Sequence, residues 1–521
     1  MKINKKNVAL TACFMVAATL AAKVCGLLRD ILIAAMYGTN TDEAIAFSSA
    51  SRIPLLFFDI ALGSAVTSAF IPIFNEYLTR DGKRRAFEFS NVFVNLVALI
   101  TILLSLLGII FSKQLVGIIA GGYDSGKREL IASLVVIIFP TIVFTGLAYC
   151  FVGILQSLGE FYVPAIISLV SNGFLILYLA IFKNCFGVRG VAFAMLAAWS
   201  LQFFVQIPSL IKCGYRYKPI LSLKDEGIRK VGMLALPIIL STWVQPINNL
   251  INIRLASSLA DTGSVTALDY ANKLYIILVG VFTFSITNLI FPSLSRACSE
   301  GDKEAFSNMS RRAIKYVVII IMPVMFGFVI LNKPIIRLFY ERGQFDSHST
   351  SLTATALLFY SLGMLGYGMQ EICNKAFYAL HNGKTPMIVS VVGISVNIAL
   401  SIVLVAVFSA THWALAFSAS IAANLMGFAL LYLLQRSVGN IAGRELAGCF
   451  AKVFVSCVLM SIAAAGVHRL VGDSSKMLAV FVPAIVGAAV YFICCMAFRV
   501  SELTDIVNAV MLKIKGGRRV E

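Results

Sequence analysis

Fourteen long apolar runs dominate this sequence of 521 residues and limit the folds that it can adopt. A run of about 20 apolar residues crosses a bilayer as a helix, and only helices or closed barrels satisfy their backbone polar groups there. The runs lie near residues 8 to 36, 53 to 77, 90 to 112, 131 to 155, 161 to 182, 187 to 211, 231 to 257, 268 to 292, 315 to 332, 352 to 373, 386 to 408, 412 to 435, 449 to 467 and 477 to 498. The sequence therefore predicts an all-α polytopic membrane protein with about fourteen transmembrane helices.

Composition and the placement of charge agree with a membrane class. The chain is 59% hydrophobic and 13% charged, with a formal net charge of +18. In a soluble protein such a surplus would point to nucleic acid. Here it lies in short loops between apolar runs, where Lys and Arg set the orientation in the membrane, so we expect no nucleic-acid partner. With a cytoplasmic N-terminus, about 26 Lys and Arg fall inside and about 10 outside. Both termini are therefore predicted to be cytoplasmic.

The sequence also repeats itself at an offset of 220 to 222 residues. Phe70-Ile71-Pro72 matches Ile290-Phe291-Pro292, and Pro164 matches Pro386, with the order of landmarks unbroken. Six predicted spans separate equivalent positions, an even number, so the two halves form a parallel repeat. The predicted domains are an N-lobe at 1–212 (helices 1 to 6), a basic cytoplasmic linker at 213–230, a C-lobe at 231–435 (helices 7 to 12), and two C-terminal helices with a basic tail at 436–521.

The first span carries three charges, Lys23, Arg29 and Asp30, inside an otherwise apolar stretch. Charges at membrane depth are costly, and they usually face a watery cavity, a partner charge or a ligand. Lys23 and Asp30 share one helical face two turns apart. We expect Asp30 to orient the two cations, and we do not expect it to bind an anionic substrate itself.

Each lobe offers a further cation near the start of its second helix. Arg52 lies twenty residues before Pro72, and Lys273 lies nineteen before Pro292. Substrate sites in transporters built from repeats lie between the repeats near the midplane. We predict a central cationic site for a phosphate or diphosphate, built from Lys23, Arg29, Arg52, Lys273 and Arg254. Each of two residues also has an alternative role. Arg52 could be an interfacial anchor whose side chain extends outward, and Lys273 could simply pair with Asp269 one turn earlier.

Other polar residues within the spans have two readings each. Asp59 is a partner for Lys23 or Arg29 across the first two helices, or a titrating coupling group. Asn248 and Asn249, in the seventh span, belong to a gate that unwinds the helix, or they make ordinary interhelical hydrogen bonds.

Glu371 and Lys375 lie near the cytoplasmic end of the tenth predicted span. They form a salt-bridged gate or an exposed helix end. The four histidines are scattered without metal-ligand spacing, so we expect no metal site. The last two helices carry almost no buried charge, which favours a hydrophobic groove for a lipid tail over a headgroup site.

Several segments together resemble the signature regions of the MurJ (MviN) family of lipid II flippases, in the multidrug/oligosaccharidyl-lipid/polysaccharide exporter superfamily. They are AAKVCGLLRD, SRIPLLFFDIALGSAVTSAFIPIF, GSVTALDYANKL, NLIFPSLS, LFYERGQFD and KAFYALHNGKTP. The resemblance implies a transporter, not an enzyme, that moves an undecaprenyl-diphosphate-linked peptidoglycan precursor from the inner to the outer leaflet of the bacterial plasma membrane. It implies that Lys23 and Arg29 take the places of the family's first-helix cations, and Lys273 that of its eighth-helix cation. Implied partners are the polyprenyl-diphosphate-linked glycolipid, anionic membrane lipids and cell-wall synthesis enzymes.

The sequence departs from the family pattern at two places. Phe58 and Asp59 stand where members often carry an arginine pair, and Asn272 with Lys273 stands where many carry an acid-arginine pair. Asn272 is therefore expected to orient its neighbour. Some relatives use a sodium site with an acid in the seventh helix, but residues 231–260 contain no acid. We expect no cofactor and favour the membrane potential over sodium as the driving force.

Three alternatives to lipid II transport remain. A flippase for another polyprenyl-diphosphate oligosaccharide, such as a capsule or O-antigen unit, would need the same cationic cavity. An exporter of cationic drugs would need acids there. A polytopic glycosyltransferase would need acids or a metal at the membrane surface and a sizeable soluble loop.

Overall fold

The computed structural model describes residues 5–59, 69–183, 185–222, 225–439, 441, 443–472, 475–500 and 502–503. Throughout these ranges the regular elements are helices, and no β-strand occurs among them, which confirms the predicted all-α class. The helices are α1 (Lys5–Tyr37), α2 (Asp42–Phe58), α3 (Ile71–Arg80), α4 (Gly82–Ile110), α5 (Ser112–Ile119), α6 (Ser125–Ile138), α7 (Thr141–Ser157), α8 (Tyr162–Phe182), α9 (Gly187–Phe204), α10 (Ile207–Lys212), α11 (Glu226–Thr242), α12 (Val244–Ser257), α13 (Ser264–Ser299), α14 (Lys303–Ile330), α15 (Asn332–Phe339), α16 (Ser347–Ser361), α17 (Met364–Ala379), α18 (Lys384–Ile402), α19 (Trp413–Val438), α20 (Arg444–Val471) and α21 (Leu478–Ala497), with a π-helical stretch at Val403–Val407.

Nine stretches among the described residues are long and apolar enough to cross a membrane, or ten if the bent pair of α16 and α17 is one span. The nine are α4, α6 with α7, α8, α9 with α10, α14, α18 with its π-helical stretch, α19, α20 and α21. The other four predicted runs coincide with α1, with α2 and α3, with α11 and α12, and with α13. The chain is thus a multi-pass membrane protein, while the exact count of fourteen stays a prediction. Residues 60–68 and the basic tail lie outside the described residues.

The internal repeat is visible in the order and spacing of the helices. The starts of α4, α5, α6 and α8 precede those of α14, α15, α16 and α18 by 221, 220, 222 and 222 residues. The packing pairs recur as well. Helix α4 packs on α7 as α14 packs on α17, α5 packs on α6 as α15 packs on α16, and α8 packs on α9 as α18 packs on α19. The predicted repeat is therefore one of helices and of their contacts as well as of sequence.

The chain divides into two compact units whose boundary differs from the predicted linker. Unit 1 comprises Met1–Thr266 and Arg342–Asp346, and unit 2 comprises Ala267–Glu341 and Ser347–Glu521. Because α11 packs on α3 and α4, and α12 packs on α2 and α5, the seventh predicted span belongs to unit 1 by its contacts. Compact packing therefore extends past the predicted linker at 213–230.

The first part of that linker, residues 213–222, lies along α4, and we call it the strap. Two asparagines one turn apart on α4 bind its backbone. Asn91 accepts a hydrogen bond from the Lys218 amide at 3.0 Å, and the Asn95 amide group donates to the carbonyls of Lys218 at 3.0 Å and Ile220 at 2.9 Å. These bonds satisfy backbone groups that have no helical partner. The predicted linker is therefore fastened to unit 1 over this stretch.

In unit 2, two glycines bring α17 and α19 into backbone contact. A Cβ atom added to Gly427 would lie 2.4 Å from the carbonyl oxygen of Gly366, and one added to Gly366 would lie 2.4 Å from the Asn424 backbone. The Asn424 amide group donates to the Leu362 carbonyl at 2.9 Å across the same crossing. Small residues at a crossing let membrane helices pack closely and gain dispersion energy.

We expect Gly427→Val to destabilise unit 2, because the new side chain must push the Gly366 backbone away. Overpacking of this kind costs about 1 to 3 kcal/mol. Gly448→Val in α20 is the matched control, because no atom lies within 4 Å of a Cβ added there. Thermal unfolding of the purified protein in detergent, followed by circular dichroism, measures both. Equal melting temperatures for the two variants would contradict the close crossing.

Candidate functional site

Arg29 is held by side chains from three helices. Its Nε and Nη2 atoms donate to Oδ1 of the buried Asp30 at 3.1 and 2.9 Å, and its Nη1 donates to Oδ1 of Asn172 on α8 at 2.9 Å. The Arg29 Cζ atom lies 5.9 Å from the ring centroid of Trp199 on α9. Charge-assisted hydrogen bonds and cation–π contact both stabilise a guanidinium away from water. The predicted contact between Asp30 and Arg29 is present.

Asn172 connects this cation to two backbones. Its amide group donates to the Ser168 carbonyl at 2.8 Å in its own helix and to the Ala22 carbonyl at 3.4 Å in α1. Those bonds fix which side of the amide faces Arg29. Asn172 and Trp199 carry no charge and belong to no motif that the sequence displays. The available signal was a lone amide inside the apolar run at 161 to 182.

Lys23 differs from Arg29 in having no such support. Its side chain is half-buried and, as far as the structure describes the chain, forms neither an ion pair nor a hydrogen bond. The expectation that Asp30 also orients Lys23 is not met, because the carboxylate is engaged with the adjacent guanidinium. The ammonium group of Lys23 is therefore available to an anion.

Asp59 does not complete the predicted pairing across the first two helices. It is half-buried, and no ion pair joins it to Lys23 or Arg29 among the residues given above. Arg29 is already engaged by α8 and α9, which explains why it does not reach Asp59. Arg52 lies half-buried in α2, and its predicted role in the site stays a prediction.

Arg254 lies exposed in the last turn of α12, and its contacts there are those of a helix end. Its Nη1 donates to the Ser258 hydroxyl at 2.8 Å, and its guanidinium lies beside Gly121, between α5 and α6. A cation in this position also interacts favourably with the C-terminal end of the helix dipole. The predicted place of Arg254 beside the cations of α1 stays a prediction.

Lys273 belongs to unit 2, where its Nζ atom lies 3.0 Å from a carboxylate oxygen of the buried Asp269. The same ammonium lies 5.8 Å from the ring centroid of Tyr270. The pairing that the sequence offered as an alternative is therefore present. It still leaves the Lys273 side chain 34% exposed, enough for an anion to approach. The neighbouring Asn272 is half-buried.

The seventh predicted span is broken where the sequence suggested unwinding. Helix α11 ends at Thr242 and α12 begins at Val244, with Trp243 between them. Pro246 lacks an N–H, which removes one hydrogen bond across the break. Asn248 is buried just after the break and Asn249 is half-buried, so both lie in the first turns of a new helix.

Glu371 and Lys375 lie one turn apart on α17 and are both half-buried. No ion pair joins them in the described part of unit 2, so the predicted salt-bridged gate is not formed between these two residues. The Lys375 ammonium instead lies 5.8 Å from the ring centroid of Phe291.

The comparisons with known proteins agree with this architecture. A family model described as lipid II flippase MurJ matches residues 33–491. The chain belongs to the MurJ family. The resemblance seen in the sequence segments is thereby confirmed. A MurJ relative from Vibrio cholerae, described as a probable lipid II flippase, is 30% identical over 428 residues, which cover 80% of each chain.

Two solved structures share the fold. A structure of lipid II flippase MurJ in an inward closed conformation has a TM-score of 0.80 at 24% identity and covers 95% of this chain and 99% of its own. An inward-facing multidrug resistance MATE family transporter of the MOP superfamily has a TM-score of 0.69 at 15% identity, covering 81% of this chain and 94% of its own. These likenesses establish the fold that MurJ proteins share with the wider superfamily.

We expect Asn172→Ala to lower transport about tenfold, because one lost charge-assisted hydrogen bond is worth about 1.5 kcal/mol or more. The Arg29 guanidinium would keep its charge and lose its fixed direction. Ser200→Ala is the control, since within the described ranges the Ser200 hydroxyl bonds inside α9, to the Leu196 carbonyl. Precursor translocation normalised to the protein in the membrane measures the effect. Equal rates for the two variants would show that Asn172 does not position Arg29.

Proposed function

We propose that this chain is a lipid II flippase of the bacterial plasma membrane. It translocates the undecaprenyl-diphosphate-linked peptidoglycan precursor from the inner to the outer leaflet by alternating access. The observation that carries the proposal is the cation arrangement on α1 of a MurJ-family chain. Arg29 is fixed by Asp30 and Asn172, and Lys23 is left without a partner in the described residues.

The two α1 cations suit a diphosphate in different ways. A guanidinium has five N–H donors, and the three hydrogen bonds to Asp30 and Asn172 leave two for a substrate. Lys23 contributes a compact charge that adapts to the position of the second phosphate. Attraction between these groups and a diphosphate is strengthened where water is partly excluded. Arg52 of α2, which belongs to the same unit, is proposed as a third cation of this cavity.

The lipid tail requires a separate apolar surface. Unit 2 has a cavity of about 540 Å³ between α14, α15, α20 and α21, and its lining includes Pro323, Phe328, Met460 and Pro483. This cavity agrees with the expectation that the last two helices support a groove for the polyprenyl chain. Headgroup and tail would then be bound by different parts of the protein.

The charge on α1 is tested by complementation. We expect the unaltered chain to restore growth and precursor translocation in cells depleted of their own lipid II flippase. Lys23→Gln should reduce translocation at least tenfold without lowering the melting temperature, because Lys23 has no partner to lose in the described structure. Arg189→Gln, at an exposed position at the start of α9, is the matched control.

Two results would count against this assignment. If Lys23→Gln and Arg29→Gln both translocate at the unaltered rate, the cationic cavity is not the substrate site. If the unaltered chain fails to complement but rescues a capsule or O-antigen export defect, the carried oligosaccharide is a different one.

We further propose that the membrane potential drives transport through these cations, with both termini in the cytoplasm. One unit charge crossing the full potential is worth about 2.3 kcal/mol per 100 mV. Dissipating the potential should therefore slow translocation in reconstituted vesicles several-fold, whereas replacing sodium by potassium should leave the rate within about twofold. A strict sodium requirement at constant potential would exclude this mechanism.

A further inference from the structure

A second apolar cavity lies in unit 1, beside the strap. We propose that this cavity is a binding site for an anionic glycerophospholipid, with an acyl chain inside it and the phosphate at the basic strap. The site uses none of the residues that hold Arg29, and it is distinct from the substrate site proposed above.

The shape and lining of the cavity suit an acyl chain. Its volume is about 570 Å³, and α4, α7, α9 and α10 form its walls. Leu147, Phe151, Phe203 and Leu210 are among the side chains that line it. Cavities of about 300 to 1,000 Å³ accept a ligand of drug size. An almost wholly apolar wall gives a soluble polar ligand few hydrogen bonds, whereas it matches a hydrocarbon chain.

The rim of the cavity is basic and uncompensated. Arg216 and Tyr217 of the strap line it directly, and Lys212 and Lys218 flank them, all four exposed. Residues 205–222 contain no acid. None of the three cations takes part in an ion pair within the described chain. Basic clusters at the ends of membrane helices attract anionic lipid, at about 1 kcal/mol per cation.

The hydrogen bonds of the strap hold these basic residues at the rim. Asn91, which is 2% exposed, accepts from the Tyr215 hydroxyl at 2.8 Å and donates to the Arg216 carbonyl at 3.2 Å. Asn95 accepts from the Tyr217 hydroxyl at 2.7 Å. These contacts use backbone groups and tyrosines and leave the Arg216 and Lys218 side chains available. A preformed cation pair beside a preformed apolar cavity is the combination that a phospholipid requires.

Lipid retention by the purified full-length protein tests the site. We would equilibrate the protein in detergent with phosphatidylglycerol or with phosphatidylcholine of the same acyl chains, and count bound lipid by native mass spectrometry. We expect the anionic lipid to be retained preferentially. Arg216→Gln with Lys218→Gln should weaken its retention roughly 10- to 30-fold, the effect of losing two lipid-facing cations. Leu147→Trp should block the cavity and weaken retention of the anionic lipid as well.

The matched control is Lys303→Gln with Arg312→Gln, two exposed cations of α14 in unit 2. This pair should leave retention unchanged, and thermal unfolding should show all variants to be folded. Glycerol phosphate should not compete, because it lacks the acyl chain.

The proposal is overturned if the strap variant retains the anionic lipid as well as the unaltered protein does, or if both lipids are retained equally. Competition by glycerol phosphate would show that the site binds free phosphates and does not require an acyl chain. Displacement by undecaprenyl diphosphate that depends on Leu147 would assign the cavity to the transported substrate instead. Because none of these readouts measures transport, they are independent of the flippase assignment.

Discussion

A guanidinium inside an apolar helix is tolerated only if its charge and its donors are satisfied, and the arrangement around Arg29 meets this condition with three helices. The adjacent Asp30 supplies the opposite charge, Asn172 supplies a fixed acceptor, and Trp199 supplies an aromatic face. Removing one partner from such a buried pair is far more costly than the pair is stabilising. The Arg29 guanidinium therefore connects α1, α8 and α9, and it is also the group that is proposed to bind substrate. A change that weakens substrate binding at Arg29 would also weaken the packing of these helices.

The fold could be predicted largely from the sequence because membrane helices must satisfy their backbone internally, so length and apolarity identify them. The repeat offset could be predicted as well, since landmarks such as Pro72 and Pro292 recur in the sequence in unbroken order. The boundary between the compact units could not. Apolar periodicity does not show which helix packs on which, and the contacts of α11 and α12 with unit 1 depend on side-chain shapes that a hydropathy pattern does not record.

The site was predicted in part. Intramembrane cations are rare enough that Lys23 and Arg29 stand out, and the Asp269 partner of Lys273 is visible as an i, i+4 pair. Asn172 was missed because an amide in an apolar run serves equally often as an ordinary interhelical contact. The contacts of Arg254 could not be predicted, because sequence gives depth along a span and not the direction in which a long side chain extends. The structure shows it at a helix end.

The fastened strap changes how this chain should respond to proteases. An exposed segment rich in Lys and Arg is where trypsin usually cuts, and cuts there are commonly taken to mark the joint between domains. A protease needs the peptide to leave its surroundings and extend through the active site. Here the carbonyls of Arg216, Lys218 and Ile220 are bound by the amides of α4. Cleavage must wait for these bonds to open, so nicking reports local unfolding of the strap.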